Sequence, residues 1–112
     1  PFVGQITDRP SVLHGTAREM LKEARGYIKK GVYGIDLLGY RYVGDAAGLN
    51  REFVSGLSAP VCLAGSVNSF ERLDEIKECN PWSFTIGGAF FEHKFGNYFP
   101  EQIKAVLDYM EK

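Results

Sequence analysis

The chain has 112 residues, of which 45% are hydrophobic and 24% charged, and its formal net charge is −1. A chain of this length and composition suits a single globular domain spanning residues 1–112, because it can bury a genuine core. The balance of 13 basic and 14 acidic residues gives no electrostatic footprint for nucleic acid, and no apolar run approaches the roughly 20 residues of a membrane helix.

The first predicted unit is a strand followed by a helix. The apolar segment PFVGQIT has the composition of a strand and runs up to Asp8. A helix is predicted over residues 16–30, where apolar residues recur at helical spacing. Thr16 and Glu19 stand at the spacing of a capping box, and Gly31 follows two lysines, as expected at a helix end. Together these signals predict one βα unit.

The same alternation of strand and helix recurs three more times. Further strands are predicted at VYGIDLLGY (32–40), VCLAG (61–65) and SFTIGG (83–88). Helices are predicted at 49–57, after the cap Asn68, and from Pro100 onward. Because the strands are mostly apolar rather than strictly alternating, they indicate a parallel sheet covered by helices. The predicted fold is therefore α/β, with four βα units in one domain.

The carboxyl ends of the predicted strands hold the candidate functional residues, because ligands of parallel sheets bind there. The first two ends are polar and carry Asp8, Asp36, Tyr40 and Arg41. The last two ends are small and carry Gly65, Ser66, Gly87, Gly88 and Ala89. Glycine serves tight turns, but it also lets free backbone N–H groups come close to an anion. The last two ends therefore predict a phosphate-binding site.

The pair AGSVNSFERLDEI and FTIGGAFF resembles the seventh and eighth βα units of phosphate-binding (βα)8 barrels. This group includes N-acetylmannosamine-6-phosphate epimerase and the histidine-biosynthesis barrels, and the close match covers about 30 residues. The resemblance implies that backbone N–H groups at the two small strand ends hold a substrate phosphate. The epimerase also has a lysine after an early glycine-rich strand. No strand end here offers a lysine, so its catalytic residues are not carried over.

The number of units separates two architectures. A closed barrel needs eight βα units in about 250 residues, and this chain has four. The resemblance therefore implies half of a TIM-type (βα)8 barrel, completed either by a second copy in a homo-oligomer or by a missing N-terminal half. The alternative is a small open α/β sandwich, complete in itself, with helices on both faces of the sheet.

The polar strand ends supply candidates for chemistry. Asp8 and Asp36 are the predicted catalytic carboxylates, as general acids or bases. An aspartate within an apolar strand is costly unless it is paired, so Asp36 is either catalytic or part of a structural ion pair. Arg41 and Tyr40 are predicted to bind the substrate, since the planar guanidinium suits phosphate or carboxylate. His93 follows the last strand end closely and is predicted to contact the substrate.

The histidines and cysteines set limits on other chemistry. His14 and His93 are far apart in the sequence and have no cysteine pair nearby, so no metal site is predicted. Cys62 and Cys79 are too few for a disulfide framework, which favours a reducing, cytoplasmic environment.

The predicted function is binding of a small phosphorylated metabolite by an isomerase, epimerase or aldolase-type lyase domain. In that function the phosphate-binding site holds the substrate in place while a carboxylate moves a proton. The alternative is a non-catalytic module that binds a phosphorylated ligand, or a purely structural part of a barrel. Neither function requires a cofactor. In a third alternative, the same glycines hold the phosphate of a flavin mononucleotide cofactor.

Overall fold

A parallel sheet with five helices organises the computed structural model, which describes residues 1–112. The strands are β1 (Gln5–Thr7), β2 (Val12–His14), β3 (Ile35–Leu37), β4 (Val61–Leu63) and β5 (Ser83–Phe84). The helices are α1 (Ala17–Lys29), α2 (Ala46–Gly56), α3 (Phe70–Cys79), α4 (Gly88–Phe91) and α5 (Phe99–Glu111), and a 3₁₀ turn spans Gly39–Arg41.

Strands β3, β4 and β5 lie side by side in chain order and run parallel. Leu37 stands opposite Leu63, and Leu63 stands opposite Phe84. On the other side of β3, Phe2 forms a parallel bridge to Asp36. Phe2, β3, β4 and β5 therefore lie side by side in the order in which they occur along the chain. The predicted α/β class with a parallel sheet is confirmed.

The amino-terminal segment differs from the single strand predicted there. Only Phe2 pairs with the parallel sheet, whereas residues 5–7 pair antiparallel with residues 12–14 in a hairpin. The chain turns between them at Gly4, whose φ is +87°, and a Cβ there would lie 2.5 Å from Leu13 Cδ1. Glycine is required at this turn because both the left-handed backbone and the crowding exclude a side chain. Apolar composition alone could not reveal the turn.

The helix starts follow local rules. Thr16 Oγ1 accepts a hydrogen bond from the Glu19 N–H at 3.1 Å, so the predicted cap of α1 is confirmed. Helix α2 begins earlier than predicted, because the Asp45 carboxylate accepts a hydrogen bond from the Gly48 N–H at 3.1 Å. None of the helices combines the length and the apolarity needed to cross a membrane.

The two faces of the parallel sheet have different surroundings. On one face, buried side chains from β3 and β4 join the helices in the core. These side chains belong to Ile35, Leu37, Val61 and Leu63. The alternate residues take no part in that core: Phe2 is 48% exposed, the Asp36 side chain is 41% exposed, and Cys62 is half-buried. One face of the sheet is therefore covered by helices and the other is open.

Candidate functional site

A cleft of about 130 Å³ lies where the chain leaves the carboxyl ends of β3, β4 and β5. Its lining consists of Arg41, Ser66, Val67, Gly87, Gly88, Ala89 and Glu92. Gly65 lies directly beside it, since a Cβ at that position would be 3.5 Å from Arg41 Cγ. Arg41, from the predicted substrate-binding set, and the predicted phosphate-binding residues thus come together. We call Gly65–Ser66 the β4 loop and Gly87–Ala89 the β5 loop.

The β4 loop makes a sharp turn immediately after its strand. Gly65 has φ +85° and Ser66 has φ +57°, so two successive residues occupy the left-handed region. A Cβ at Gly65 would lie 3.2 Å from Leu38 Cδ2. Ser66 carries a side chain in a conformation that costs about 1–2 kcal/mol. The surroundings must offset that cost if the loop is to keep its shape.

Arg72, in the first turn of α3, supplies that support. Its Nη1 donates hydrogen bonds to the Ser66 carbonyl oxygen and, at 3.1 Å, to Asn68 Oδ1. Its guanidinium also lies 4.5 Å from the centre of the Tyr40 ring. The helix is capped by Ser69, whose Oγ accepts the Arg72 N–H at 3.2 Å. The prediction that Asn68 caps α3 was wrong, because its side chain is engaged by Arg72 instead.

The β5 loop is built differently. A Cβ added to Gly87 or Gly88 would meet no other atom within 4 Å. Neither glycine has a positive φ, and at Gly88, which begins α4, neither the backbone conformation nor packing demands glycine. The residue that follows, Ala89, is buried. The space above the two glycines is open to a ligand.

Gln102 of α5 holds the segment that follows the β5 loop. Its side chain is buried, with 1% of the residue exposed. Its Nε2 donates to the Phe90 carbonyl oxygen at 2.8 Å, and its Oε1 accepts from the Phe95 N–H at 3.3 Å. Gln102 is not among the residues predicted from the sequence. Its position four residues before the buried Val106, on the inner face of a helix, was the available signal.

Backbone donors in the cleft have no partner within the chain. No intramolecular acceptor is bonded to the N–H groups of Ser66, Val67, Gly87, Gly88 and Ala89. Arg41 makes one hydrogen bond, from Nη1 to the Ser11 carbonyl oxygen at 3.4 Å, and its guanidinium has five N–H donors. The cleft therefore combines a cation with free backbone donors, an arrangement that suits an oxyanion.

Glu92 adds a carboxylate to the lining of the same cleft. It directly follows α4 and is exposed, whereas Ala89, one turn earlier, is buried. Glu92 is not among the residues predicted from the sequence, because nothing in the local pattern distinguishes it from a solvated surface glutamate.

The two predicted catalytic carboxylates do not line the cleft. Asp8 lies in the exposed turn of the hairpin, with φ +63°, and accepts a hydrogen bond from Thr7 Oγ1 at 3.3 Å. Asp36 lies on the open face of the sheet, where its Oδ2 is 3.9 Å from the amino nitrogen of Pro1. Their catalytic roles stay predictions, and the structure does not bring them together with Arg41.

Tyr40 and His93 also lie outside the cleft lining. The Tyr40 hydroxyl donates to the Arg72 carbonyl oxygen at 3.2 Å and to Glu75 Oε1 at 3.3 Å. Burial first, and then the Glu75 carboxylate, raise the pKa of Tyr40 far above its usual range. The Tyr40 ring therefore packs against Arg72, and its hydroxyl is bonded within the protein. His93 is exposed, with φ +58°, and follows α4.

A larger groove has a different lining. A groove of about 540 Å³ lies beside β5, between α3 and α5, and is lined mainly by apolar side chains such as Trp82, Leu107 and Met110. Its one lysine, Lys77, already donates to the Tyr109 and Lys112 carbonyl oxygens. No group of three or more His, Cys, Asp or Glu side chains is arranged to hold a metal ion.

No protein-family model, curated protein or solved structure was found to match the chain. The functional assignment therefore depends on the cleft and its donors.

Proposed function

We propose that the protein binds a small phosphorylated metabolite through its phosphate, in the cleft between the β4 and β5 loops. The observation that carries the proposal is that Arg41 and five residues whose backbone N–H groups have no partner in the chain line the same cleft. Charge-assisted hydrogen bonds from such donors to an oxyanion are short and strong.

The size of the cleft supports a phosphate rather than a whole metabolite as its occupant. At about 130 Å³ it has room on the order of four water molecules. A phosphoryl group fits that space, and the carbon skeleton of the ligand then lies outside it, along the carboxyl edge of the sheet. The phosphate is thus the anchor, and reacting atoms lie beyond the cleft.

We further propose an isomerase, epimerase or aldolase-type lyase activity on that ligand. These reactions move a proton beside a carbonyl or hydroxyl, which a carboxylate can do. Asp36, on the open face of the sheet, and Asp8, in the hairpin turn, are the proposed acid–base groups. The alternative, a non-catalytic module that binds the phosphorylated ligand, uses the same cleft and differs only in turnover.

We propose that the sheet is half of a (βα)8 barrel. The support is the parallel order of Phe2, β3, β4 and β5, with helices on one face and an open face opposite. Parallel sheets are normally covered on both sides, so the open face calls for a further covering layer. In a barrel that layer is four more strands, from a second copy or from another part of a longer polypeptide.

Thiol labelling tests the half-barrel, because Cys62 lies on the open face. If a second copy completes the barrel, the labelling rate of Cys62 falls as protein concentration rises, while sedimentation shows a dimer. Cys79, at the end of α3, serves as the internal control, since its thiol donates a hydrogen bond to the Asn50 carbonyl oxygen of α2 at 3.4 Å. A monomer in which Cys62 is already protected contradicts an open face.

Phosphate titration tests the binding proposal directly. We expect saturable shifts of the amide signals of Ser66, Gly87 and Gly88 with millimolar inorganic phosphate or glycerol phosphate. Arg41→Ala should weaken binding by about tenfold or more, because a hydrogen bond to a charged group contributes about 1.5–3 kcal/mol. Arg18→Ala, an exposed arginine on α1, is the matched control. Unmoved signals, or equal losses in both variants, contradict the proposal.

Two aspartate variants then separate the enzyme from the binding module. In Asp36→Asn and Asp8→Asn, unchanged ligand affinity with lost turnover supports acid–base roles. If the parent protein turns over no member of a panel of phosphorylated sugars that it binds, the module is the correct description.

A further inference from the structure

The phosphate cleft contains two charged side chains of opposite sign. Arg41 reaches it from the turn after β3, and Glu92 reaches it from the residue that follows α4. They do not pair with each other or with any other side chain, because the salt bridges of the molecule are Pro1–Asp36 and Lys104–Asp108. Both charges therefore remain available to a ligand.

The two charges act oppositely on a bound phosphate. Arg41 attracts the dianion, whereas the Glu92 carboxylate repels it and has no donor of its own in the cleft. A phosphate ester dianion with no donor group beside Glu92 is therefore attracted by Arg41 and repelled by Glu92. A ligand that offers a hydroxyl or ammonium group to Glu92 converts that repulsion into a charge-assisted hydrogen bond.

The burial of the lining residues indicates where the ligand group that donates to Glu92 must lie. Ala89 is buried, whereas Glu92 lines the cleft and is exposed, as expected for a residue at its mouth. The cleft of about 130 Å³ holds a phosphoryl group and leaves the next atoms of an ester at the mouth. The substituents that meet Glu92 are therefore those on the carbons closest to the phosphate.

We propose that Glu92 is a specificity-determining residue. It selects phosphate esters that carry a hydroxyl or amino group near the phosphate, and it disfavours esters with an apolar group there. This inference rests on the proposed function, whose ligand class it narrows to polyhydroxy or amino phosphate esters.

A ligand-by-variant comparison tests the proposal. Inorganic phosphate, methyl phosphate and ethanolamine phosphate are titrated into the parent protein and into Glu92→Gln, with affinities from calorimetry and from the amide signals of Ser66 and Gly88. The parent should prefer ethanolamine phosphate to methyl phosphate. Glu92→Gln should bind methyl phosphate about two- to fivefold more tightly, as expected for removing an exposed charge, and should lose at least threefold of the preference for ethanolamine phosphate.

Glu78→Gln, an exposed glutamate near the end of α3, controls for the change in net charge. Phosphate binding with the same ligand preference in the parent and Glu92→Gln overturns the role of Glu92 alone. An equal loss of preference in Glu78→Gln also overturns it. If the parent and Glu92→Gln bind none of the three ligands, the proposed phosphate site is overturned and the role of Glu92 with it.

Discussion

The two glycine-bearing loops of the cleft use the same residue type for different physical reasons. In the β4 loop, Gly65 has φ +85° and packs against Leu38, so only glycine satisfies the backbone and the crowding together. In the β5 loop, Gly87 and Gly88 face open space and have no positive φ. The β4 glycine is explained by the fold alone. Gly88 of the β5 loop is not, because it has a helical backbone and open space around it, and it points to a ligand that must come close.

The supports of the two loops differ as well. The β4 loop is braced from one side by Arg72, which lies half-buried over Tyr40. The β5 loop is tied to α5 through Gln102, whose amide is buried. Disturbing the buried support should therefore affect stability most, and filling the open space should affect it least.

Removing the buried amide should have the largest effect on stability. Gln102→Ala leaves a cavity and an unpaired buried Phe95 N–H, so we expect the free energy of unfolding to fall by about 3 kcal/mol. Denaturant unfolding measures this change, and phosphate affinity should fall with it because the β5 loop loses its tie. Gln5→Ala, the same substitution at an exposed strand position, should change stability by less than about 0.5 kcal/mol. Equal effects of the two substitutions would contradict a supporting role for Gln102.

Filling the strained glycine of the β4 loop should have the next largest effect. Gly65→Ala places a Cβ in the left-handed region, at about 1–2 kcal/mol, and also crowds Leu38. Gly31→Ala is a matched control, because Gly31 has φ +101° but nothing within 4 Å of its Cβ position. Thermal unfolding of both variants separates strain from crowding. A smaller loss for Gly65→Ala than for Gly31→Ala would show that crowding at the β4 loop is absent.

The hydroxyl of Tyr40, which lies against Arg72, should contribute about 1 kcal/mol to the free energy of unfolding near neutral pH. Tyr40→Phe removes the hydroxyl that donates to Arg72 and Glu75, and a typical hydrogen bond contributes that amount. Urea unfolding at pH 7 measures the loss. Tyr33→Phe, at an exposed tyrosine, should leave stability unchanged.

The same pair of variants should differ in alkaline solution. Burial and Glu75 raise the pKa of Tyr40 in the folded protein above the ordinary tyrosine value of 10.0. Above that pH the unfolded chain loses a proton that the folded protein keeps, so stability falls as pH rises. The fall should be shallower in Tyr40→Phe than in the parent or in Tyr33→Phe. Equal slopes in all three proteins would contradict the raised pKa.

Filling the open space of the β5 loop should have the smallest effect on stability and a large one on binding. Gly88→Ala should keep or raise the free energy of unfolding by up to about 1 kcal/mol, because alanine favours helix and its Cβ meets nothing. Phosphate affinity should fall by about tenfold, the equivalent of losing one charge-assisted hydrogen bond. Gly26→Ala, in α1, should give the same stability gain without the loss of affinity. If Gly88→Ala binds phosphate normally, close approach of a ligand does not explain this glycine.

Local signals in the sequence predicted much of the fold. The Thr16 cap, the alternation of strands and helices and the small residues at the ends of β4 and β5 depend on neighbours along the chain. The turn at Gly4 escaped prediction, because it is specified by contact with Leu13, nine residues later. The roles of Arg72 and Gln102 escaped for the same reason, since their partners lie on other elements.

The sequence by itself determined the class of the fold and the two glycine-bearing strand ends, because periodicity and turn residues act over a few neighbouring positions. Only the tertiary structure decided which side chains join those ends. Strand register and the 3₁₀ turn after β3 bring Arg41 to the cleft, and the short helix α4 brings Glu92. The hairpin and the sheet face keep Asp8 and Asp36 off its lining. Such placements depend on how distant segments pair and pack, which no local pattern encodes.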